Sequence, residues 1–212
     1  SGGGSGPDDL NDTRNTQPAL FVVESLLVDN LIEQGRDAAL VAGHSLGELV
    51  ALYAAGVFDL DTGLKLMQTR SELMAAAGGG AMTAVIGFDR SQLEALVNDT
   101  EMVSIANDNS DAQVVISGQP DAVQSVSEKL KCKRAIPLAV SGAFHSPFMA
   151  EAAEAFATTL DGVSFRDARI PVLSNSDPCG CSDAALLRQR LMQQMTTGVR
   201  WRGTTASMAE YG

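Results

Sequence analysis

The sequence predicts an α/β fold in which a small second unit is inserted into a larger core. Before residue 82 and after residue 140, apolar runs of strand length alternate with segments whose hydrophobic residues recur at helical spacing. Between those points the order strand, helix, strand, strand, helix, strand is typical of a ferredoxin-like unit. We therefore expect a core formed by residues 10–81 and 141–212 and a ferredoxin-like subdomain formed by residues 82–140.

Composition limits the classes of function. The 212 residues are 45% hydrophobic and 19% charged, which is ordinary for a globular protein, and the net charge of −11 argues against bulk attraction to nucleic acid or an anionic membrane. No stretch approaches the roughly 18 apolar residues of a membrane span, and no signal peptide is evident. We expect a soluble, cytoplasmic protein. Cys132, Cys179 and Cys181 suit neither a disulfide framework nor a metal site.

The core elements follow from hydrophobic periodicity. Residues 1–9 begin SGGGSG and are interpreted as a flexible linker. In the first helix, Leu20, Val23, Leu27 and Leu31 recur at helical spacing and predict an apolar face that packs on a sheet. The other core segments have the same kinds of pattern. They are strands at 38–42 and 170–175 and helices at 17–34, 46–55, 62–77, 147–160 and 184–195.

The inserted subdomain is predicted in the same way. A triple glycine, Gly78-Gly79-Gly80, breaks the chain before it. Its predicted elements alternate short apolar strands with two amphipathic helices. They are strands at 82–87, 102–107, 112–118 and 132–140 and helices at 91–98 and 121–130.

The sharpest local signal is the pentapeptide Gly43-His44-Ser45-Leu46-Gly47, which lies between a predicted strand and a predicted helix. This G-x-S-x-G pattern is typical of a nucleophile elbow, where flanking glycines let the backbone hold the serine Oγ clear of the sheet. The Leu46 N–H would then point toward developing negative charge at a helix N-terminus. The alternative is a structural turn without chemistry.

A serine nucleophile needs a base, and the chain contains two histidines. His44 precedes Ser45 on the tight turn, so its side chain leaves in another direction, and we interpret it as structural. His145 lies just after the last strand of the insertion, where the chain re-enters the core, and is the candidate base. The alternative for His145 is a capping or surface role.

Arg70 lies on the apolar stripe of its predicted helix, between Met67 and Met74, and therefore faces inward. A buried guanidinium is costly unless it is paired, and a carboxylate fits its fork best. The partner is either an internal Asp or Glu or a substrate carboxylate. Separately, Lys129, Lys131, Lys133 and Arg134 form one basic cluster, which is either a solvated surface or a contact for an anionic partner.

These residues resemble the malonyl-CoA:acyl carrier protein transacylases and the acyltransferases of polyketide synthases. Several separated motifs, in family order from about Leu10 to the end of the chain, carry the resemblance. They are Thr16-Gln17-Pro18-Ala19, Gly43-His44-Ser45-Leu46-Gly47-Glu48, Gln68-Thr69-Arg70, Asn107-Asp108-Asn109-Ser110, Gln113-Val114-Val115-Ile116-Ser117-Gly118, Gly142-Ala143-Phe144-His145 and Val199-Arg200-Trp201. The sequences GAFHSPFM and ANDNS are more similar to free-standing acyltransferases that serve polyketide synthases in trans than to housekeeping enzymes of the family.

The resemblance implies roles residue by residue. Ser45 would carry the acyl group, His145 would be the base, and Arg70 would hold the free carboxylate of malonate. A backbone carbonyl at Gln194 would orient the histidine. Phe144 would crowd the position of an α-methyl group and so favour malonyl over methylmalonyl.

The same resemblance places Gln17 and Asn107, which lie within matched motifs, at the substrate. It implies a three-layer α/β hydrolase-like core, malonyl-CoA and an acyl carrier protein as partners, and polyketide synthase modules as further partners. CoA enters as a thioester substrate, and neither a cofactor nor a metal is expected.

Two departures from the family pattern stand out. The family's G-Q-G-x-Q loop, whose glutamine helps to form the oxyanion hole, has no match, and neither does its later strand and G-P-G loop. The chain is therefore interpreted as the central part of the enzyme, with terminal strands missing. Either another chain or segment completes the sheet, or this chain is an incomplete catalyst.

The sequence thus predicts transfer of a malonyl group from malonyl-CoA to the phosphopantetheine thiol of an acyl carrier protein, through an acyl-serine, in polyketide or fatty acid biosynthesis. One alternative is an acyl hydrolase that acts on acyl carrier proteins. A second is a non-catalytic docking fragment of an acyltransferase.

Overall fold

The computed structural model describes residue 10, residues 12–140 and residues 142–211, so the predicted linker at residues 1–9 lies outside the described residues. The helices are α1 Thr13–Glu33, α2 Gly47–Ala54, α3 Leu60–Ala76, α4 Arg90–Asn98, α5 Pro120–Lys129, α6 Ala150–Asp161, α7 Ala184–Gln193 and α8 Trp201–Met208, with a 3₁₀ turn at Pro147–Met149. The strands are β1 Val41–Ala42, β2 Ala81–Phe88, β3 Val103–Ser110, β4 Gln113–Gly118, β5 Cys132–Pro137 and β6 Val172–Leu173.

Four strands of the middle segment form an antiparallel sheet in the order β3-β4-β2-β5. Because side chains alternate across a strand, the sheet presents two faces. One face packs on α4 and α5 around Val85, Leu93 and Ile116, and the other carries Met82 and Ala84 toward Phe144. The predicted order of strands and helices in this segment is observed, and β5 lies at the edge of the sheet.

The larger unit is built around a short parallel pair. β1 pairs with β6 through Val41 to Val172 and Ala42 to Leu173. Helices from both halves of the chain bury one core around this pair. Its largest fully buried apolar side chains are Phe21, Leu49, Leu52, Leu66, Met67, Met149, Phe156 and Leu160.

The predicted burial of the first helix is wrong. Leu20, Val23, Leu27 and Leu31 are 40%, 54%, 59% and 50% exposed. The helix instead buries Gln17, Phe21 and Ser25, because this is the face that packs against α3 and α2. Nothing in the described part of the chain covers the opposite face, so its leucines meet solvent.

Several boundaries also differ from prediction. α1 begins four residues early because Asp12 caps it, and α3 begins at Leu60 because the Asp59 side chain accepts a hydrogen bond from the Thr62 N–H. Helix α8 was not predicted at all. In the described residues, no helix combines the length and the apolarity that crossing a membrane requires.

Candidate active site

Ser45 lies on a tight turn between β1 and α2, as the pentapeptide predicts. Its φ is +53°, a left-handed conformation that non-glycine residues rarely adopt. The turn closes so tightly that a Cβ at Gly43 would lie 1.9 Å from the backbone oxygen of Gly47. Only glycine fits at position 43, and the serine hydroxyl is held at the start of the helix.

Asn175, which follows β6, holds this turn from the neighbouring strand. Its Oδ1 accepts a hydrogen bond from the Ser45 N–H at 2.7 Å, and its Nδ2 donates to the carbonyl of Gly43 at 2.7 Å. Sequence reasoning missed this residue. The available signal was a polar Ser-Asn pair that ends an otherwise apolar strand.

His145 is in contact with Ser45, although the two residues are a hundred positions apart. Ser45 Oγ lies 2.8 Å from His145 Nε2, and His145 Nδ1 lies 3.0 Å from the carbonyl oxygen of Gln194. Because a carbonyl can only accept, we assign the ring hydrogen to Nδ1, which leaves Nε2 free to accept the serine proton. The structure brings together the three residues that the resemblance selected for this arrangement.

The surroundings keep His145 neutral. Burial, and secondarily the positive charge of Arg70, lower the pKa of His145 to about 3 from its ordinary 6.5. At neutral pH the ring is therefore unprotonated and available as a base. A carboxylate bound to the Arg70 guanidinium would offset part of this positive charge, raise the pKa of His145 and so make it a stronger base.

Arg70 is fully buried, with its guanidinium beside the serine. Nη2 donates to Ser45 Oγ at 3.1 Å and to Gln194 Oε1 at 2.9 Å, and Nη1 donates to Gln17 Oε1 at 2.5 Å. Burial lowers the pKa of Arg70 to about 10, with the charge of Glu48 acting in the opposite direction, so the side chain remains a cation at neutral pH.

Within the described residues, no carboxylate forms a salt bridge with Arg70. Its partners are two glutamine amide oxygens and the Ser45 hydroxyl. Of the two partners that the sequence left open, an internal acid in direct contact is thus not found. The fork of a buried cation faces the reacting hydroxyl and can accept a carboxylate there.

The Leu46 N–H, the predicted oxyanion donor, directly follows Ser45 in the elbow. In the elbow, the Gly47 N–H donates to the His44 carbonyl and the Glu48 N–H to the Ser45 carbonyl. No hydrogen bond among the described residues uses the Leu46 N–H. Leu46 is the N-cap of α2, where the helix dipole favours negative charge.

An open cleft of about 1030 Å³ leads to the serine. Phe144, Gln17 and Asn107 line it, together with Leu138 and Val140 from the segment after β5. Three of the four predicted substrate-contacting residues, Gln17, Asn107 and Phe144, therefore share one cavity with Ser45, while the fourth, Arg70, is fully buried beside the serine.

His44 turns away from the serine, as expected. Its Nε2 lies 2.9 Å from Asn109 Oδ1 and 3.5 Å from Asn107 Nδ2, and its ring packs edge-on to Trp201 at 5.4 Å. His44 thus ties the elbow to β3 and α8. Asn109 lies in one of the motifs that carry the family resemblance, but sequence reasoning gave it no role.

In the described part of the chain, no group of three or more His, Cys, Asp or Glu side chains could hold a metal ion. The groups at the site are a hydroxyl, a neutral imidazole, a cation and a free N–H. Together they can form and cleave an ester at Ser45 while they hold an acidic substituent of the acyl group.

Comparison with known proteins identifies the family. The model of the acyl transferase domain matches residues 5–207. The chain belongs to the acyl transferase family. A malonyl CoA-acyl carrier protein transacylase of Synechocystis sp. is 52% identical over 200 residues, which cover 94% of this chain and 68% of that relative. The predicted family is thereby confirmed.

Solved structures of acyl transferases agree with this assignment. The crystal structure of Synechocystis sp. malonyl-CoA:ACP transacylase matches with a TM-score of 0.95 at 50% identity, covering 98% of this chain and 71% of that chain. A type II PKS acyl-carrier protein in complex with its malonyl-transacylase matches with a TM-score of 0.90 at 36% identity, covering 97% and 70%. The mixed α/β fold of this acyl transferase is that of these proteins.

Proposed function

We propose that this acyl transferase moves a malonyl group from malonyl-CoA to the phosphopantetheine thiol of an acyl carrier protein, through an ester on Ser45. The observation that carries the proposal is the buried Arg70 cation, which lies 3.1 Å from the Ser45 Oγ and forms no salt bridge with any carboxylate of the described residues. A malonyl group attached to Ser45 has its free carboxylate close to this cation. The names of the relatives support the same substrate and partner.

The first half-reaction loads the serine. His145 Nε2 takes the hydroxyl proton as Ser45 Oγ attacks the thioester carbonyl, and the Leu46 N–H stabilises the oxyanion. The intermediate collapses, the carbon–sulfur bond breaks, and the proton on Nε2 passes to the leaving CoA thiolate. The products are CoA and malonyl-Ser45.

The second half-reaction runs the same steps with the carrier thiol. His145 takes the proton of the phosphopantetheine thiol, sulfur attacks the malonyl ester, and the proton returns to Ser45 Oγ as the ester bond breaks. In each half-reaction His145 passes on the proton that it takes, and no electrons are exchanged. The chemistry therefore needs neither a metal nor a redox cofactor. Malonyl is bound through the whole cycle by one carboxylate–guanidinium pair.

The cleft residues set the acyl preference in this proposal. When malonyl is bound, its carboxylate takes the hydrogen bonds that Arg70 now makes to Gln17 and to the Ser45 hydroxyl, while the Arg70 Nε keeps its contact with Gln194. Phe144 lies at the wall of the cleft and limits the space beside the α-carbon. Asn107, which also lines the cleft, contacts the substrate beyond the acyl group.

The carrier meets this enzyme, we propose, along the edge strand of the four-stranded sheet. Lys129 ends α5, and Lys131, Lys133 and Arg134 lie before and along β5, all of them exposed. None of the four forms an ion pair within the described residues. The strand leads directly to residues 138–140, which line the cleft, so an anionic partner held here is next to the entrance.

Reversing this charge should weaken transfer to the carrier without affecting loading. We expect Lys131→Glu together with Lys133→Glu and Arg134→Glu to raise KM for an acyl carrier protein about tenfold or more at low salt, since charge complementarity mainly governs encounter. The rate of CoA release from malonyl-CoA should stay unchanged. Lys65→Glu, an exposed charge reversal on α3, is the matched control. Equal KM values in the two variants would exclude this surface.

The product distinguishes malonyl transfer from its rivals. With malonyl-CoA and a holo acyl carrier protein, we expect malonyl-carrier to accumulate. A hydrolase would give free malonate instead, and a docking fragment would give neither product. Mass spectrometry of the carrier and an assay of free malonate separate the three outcomes. Arg70 argues against the hydrolase of simple acyl chains, because such a substrate offers nothing to a buried cation.

We also propose the finer architecture. The four-stranded segment, residues 82–140, is a ferredoxin-like subdomain, and residues 10–81 and 141–212 form an α/β hydrolase-like core with three layers. The exposed apolar face of α1 and a groove beside β1, lined by Val28, Val41 and Val50, support a larger sheet in which another chain or segment continues beyond β1.

A further inference from the structure

A buried carboxyl group, Glu48, lies behind the nucleophile without touching the cleft. It occupies the first turn of α2, three residues after Ser45, and is fully buried. Its Oε2 accepts hydrogen bonds from the Asn175 N–H at 3.1 Å and from Gln194 Nε2 at 2.9 Å. Glu48 ends one of the motifs that carry the family resemblance, but sequence reasoning gave it no role.

Burying a carboxyl group is unfavourable, and at Glu48 burial raises the pKa accordingly. Its other oxygen, Oε1, has no hydrogen-bond partner among the described residues. An apolar side chain of similar size would fill the same space with less desolvation. The position therefore calls for an explanation other than packing.

The amide of Gln194 supplies that explanation. Its Nε2 donates to the Ser45 carbonyl at 2.8 Å and to Glu48, while its Oε1 accepts from Arg70 Nε at 3.2 Å and Nη2 at 2.9 Å. Rotating the amide by half a turn would set its NH₂ against the guanidinium and its oxygen against two acceptors. Glu48 and Arg70 together hold it in one orientation.

Gln194 also orients the base, because its backbone carbonyl accepts from His145 Nδ1 at 3.0 Å. Gln194 thus contacts both the base His145 and the cation Arg70, and Glu48 fixes the Gln194 side chain through a hydrogen bond. We propose that Glu48 is a positioning residue for malonyl transfer, acting through the Gln194 amide to aim the guanidinium of Arg70 at the acyl group on Ser45. This inference rests on the proposed function.

Two nearly isosteric substitutions separate positioning from packing. Glu48→Gln keeps an oxygen that can accept from Gln194 and Asn175 but removes the charge, and Glu48→Met removes the acceptor while it fills the space. Leu52→Ala, a fully buried change on the same helix outside this network, is the control for destabilisation alone. The readouts are thermal unfolding and the ratio of the acylation rate constants with malonyl-CoA and acetyl-CoA.

We expect Glu48→Met to lower the malonyl-to-acetyl ratio about tenfold or more, since losing a buried hydrogen-bond acceptor leaves the Gln194 amide without its partner and weakens what the amide positions. Glu48→Gln should retain the wild-type ratio. Leu52→Ala should reduce both rates equally and leave the ratio unchanged, because a smaller folded fraction affects both substrates alike.

Three results would overturn the proposal. An unchanged ratio in Glu48→Met would mean that the residue is merely structural, and equal losses in the Gln and Met variants would mean that charge, not the hydrogen bond, matters. If Glu48→Met does not fold, Gln194→Met tests the same link, and an unchanged ratio there excludes it. Failure of the proposed function is separate: wild-type protein would then not accept malonyl at all.

Discussion

Replacing Arg70 with alanine should lower the acylation rate constant with malonyl-CoA about a hundredfold relative to that with acetyl-CoA, since breaking one side of a buried charge pair costs about 3 kcal/mol or more. The physical reason is differential: malonyl presents a carboxylate to the guanidinium, whereas acetyl presents a methyl group. CoA release with each thioester measures the ratio directly.

A matched variant separates charge from geometry. Arg70→Lys keeps the positive charge but loses the planar fork that reaches Gln17, Gln194 and Ser45 together. Its ratio should lie between those of the wild type and Arg70→Ala. Unfolding curves confirm that each variant is folded. A malonyl-to-acetyl ratio unchanged in both variants would remove Arg70 from substrate recognition.

The pH dependence of acylation gives a second, independent test of Arg70→Ala. A general base must be neutral, so acylation slows as pH falls through the pKa of His145, which burial and then Arg70 lower to about 3. We expect the wild-type rate to stay level as pH falls through 6.5, the ordinary histidine value. In Arg70→Ala one of the causes that lower the pKa of His145 is gone, so this pKa rises and the acidic decline in the acetyl rate should begin at higher pH.

The proposed nucleophile, its proposed base and the buried cation were within reach of sequence reasoning because each leaves a local signal. A pentapeptide with glycines on both sides specifies the turn at Ser45, and two histidines leave few choices for the base. The inward direction of Arg70 follows from helical spacing alone. The succession of strands and helices along the middle segment likewise follows from alternating short patterns.

The supporting contacts were beyond that reasoning because they join distant parts of the chain. Asn175 and Glu48 act only once β6 has been placed beside the elbow, and neither has a periodic pattern. The exposed face of α1 shows the opposite problem: its leucines match the periodicity of a buried stripe, but burial depends on what packs against it. α3 and α2 pack against the side that carries Phe21 instead.

Replacing Ser45 with alanine should abolish acyl loading. Oγ is the atom that forms the ester, and removing the nucleophile of a comparable serine enzyme costs about a millionfold in rate. His145 and Arg70 remain in this variant, so the cleft can still bind malonyl-CoA. Loss of loading with retained folding therefore isolates the covalent step from substrate binding.

The most direct test of covalent malonyl transfer is the intact mass of this chain after brief exposure to malonyl-CoA, with Ser45→Ala alongside. We predict a gain of one malonyl group on the wild-type chain, equal in amount to the CoA released, and no gain on the variant. A malonyl adduct that persists in Ser45→Ala, or a wild-type chain that gains no mass and releases no CoA, would contradict the acyl-serine mechanism.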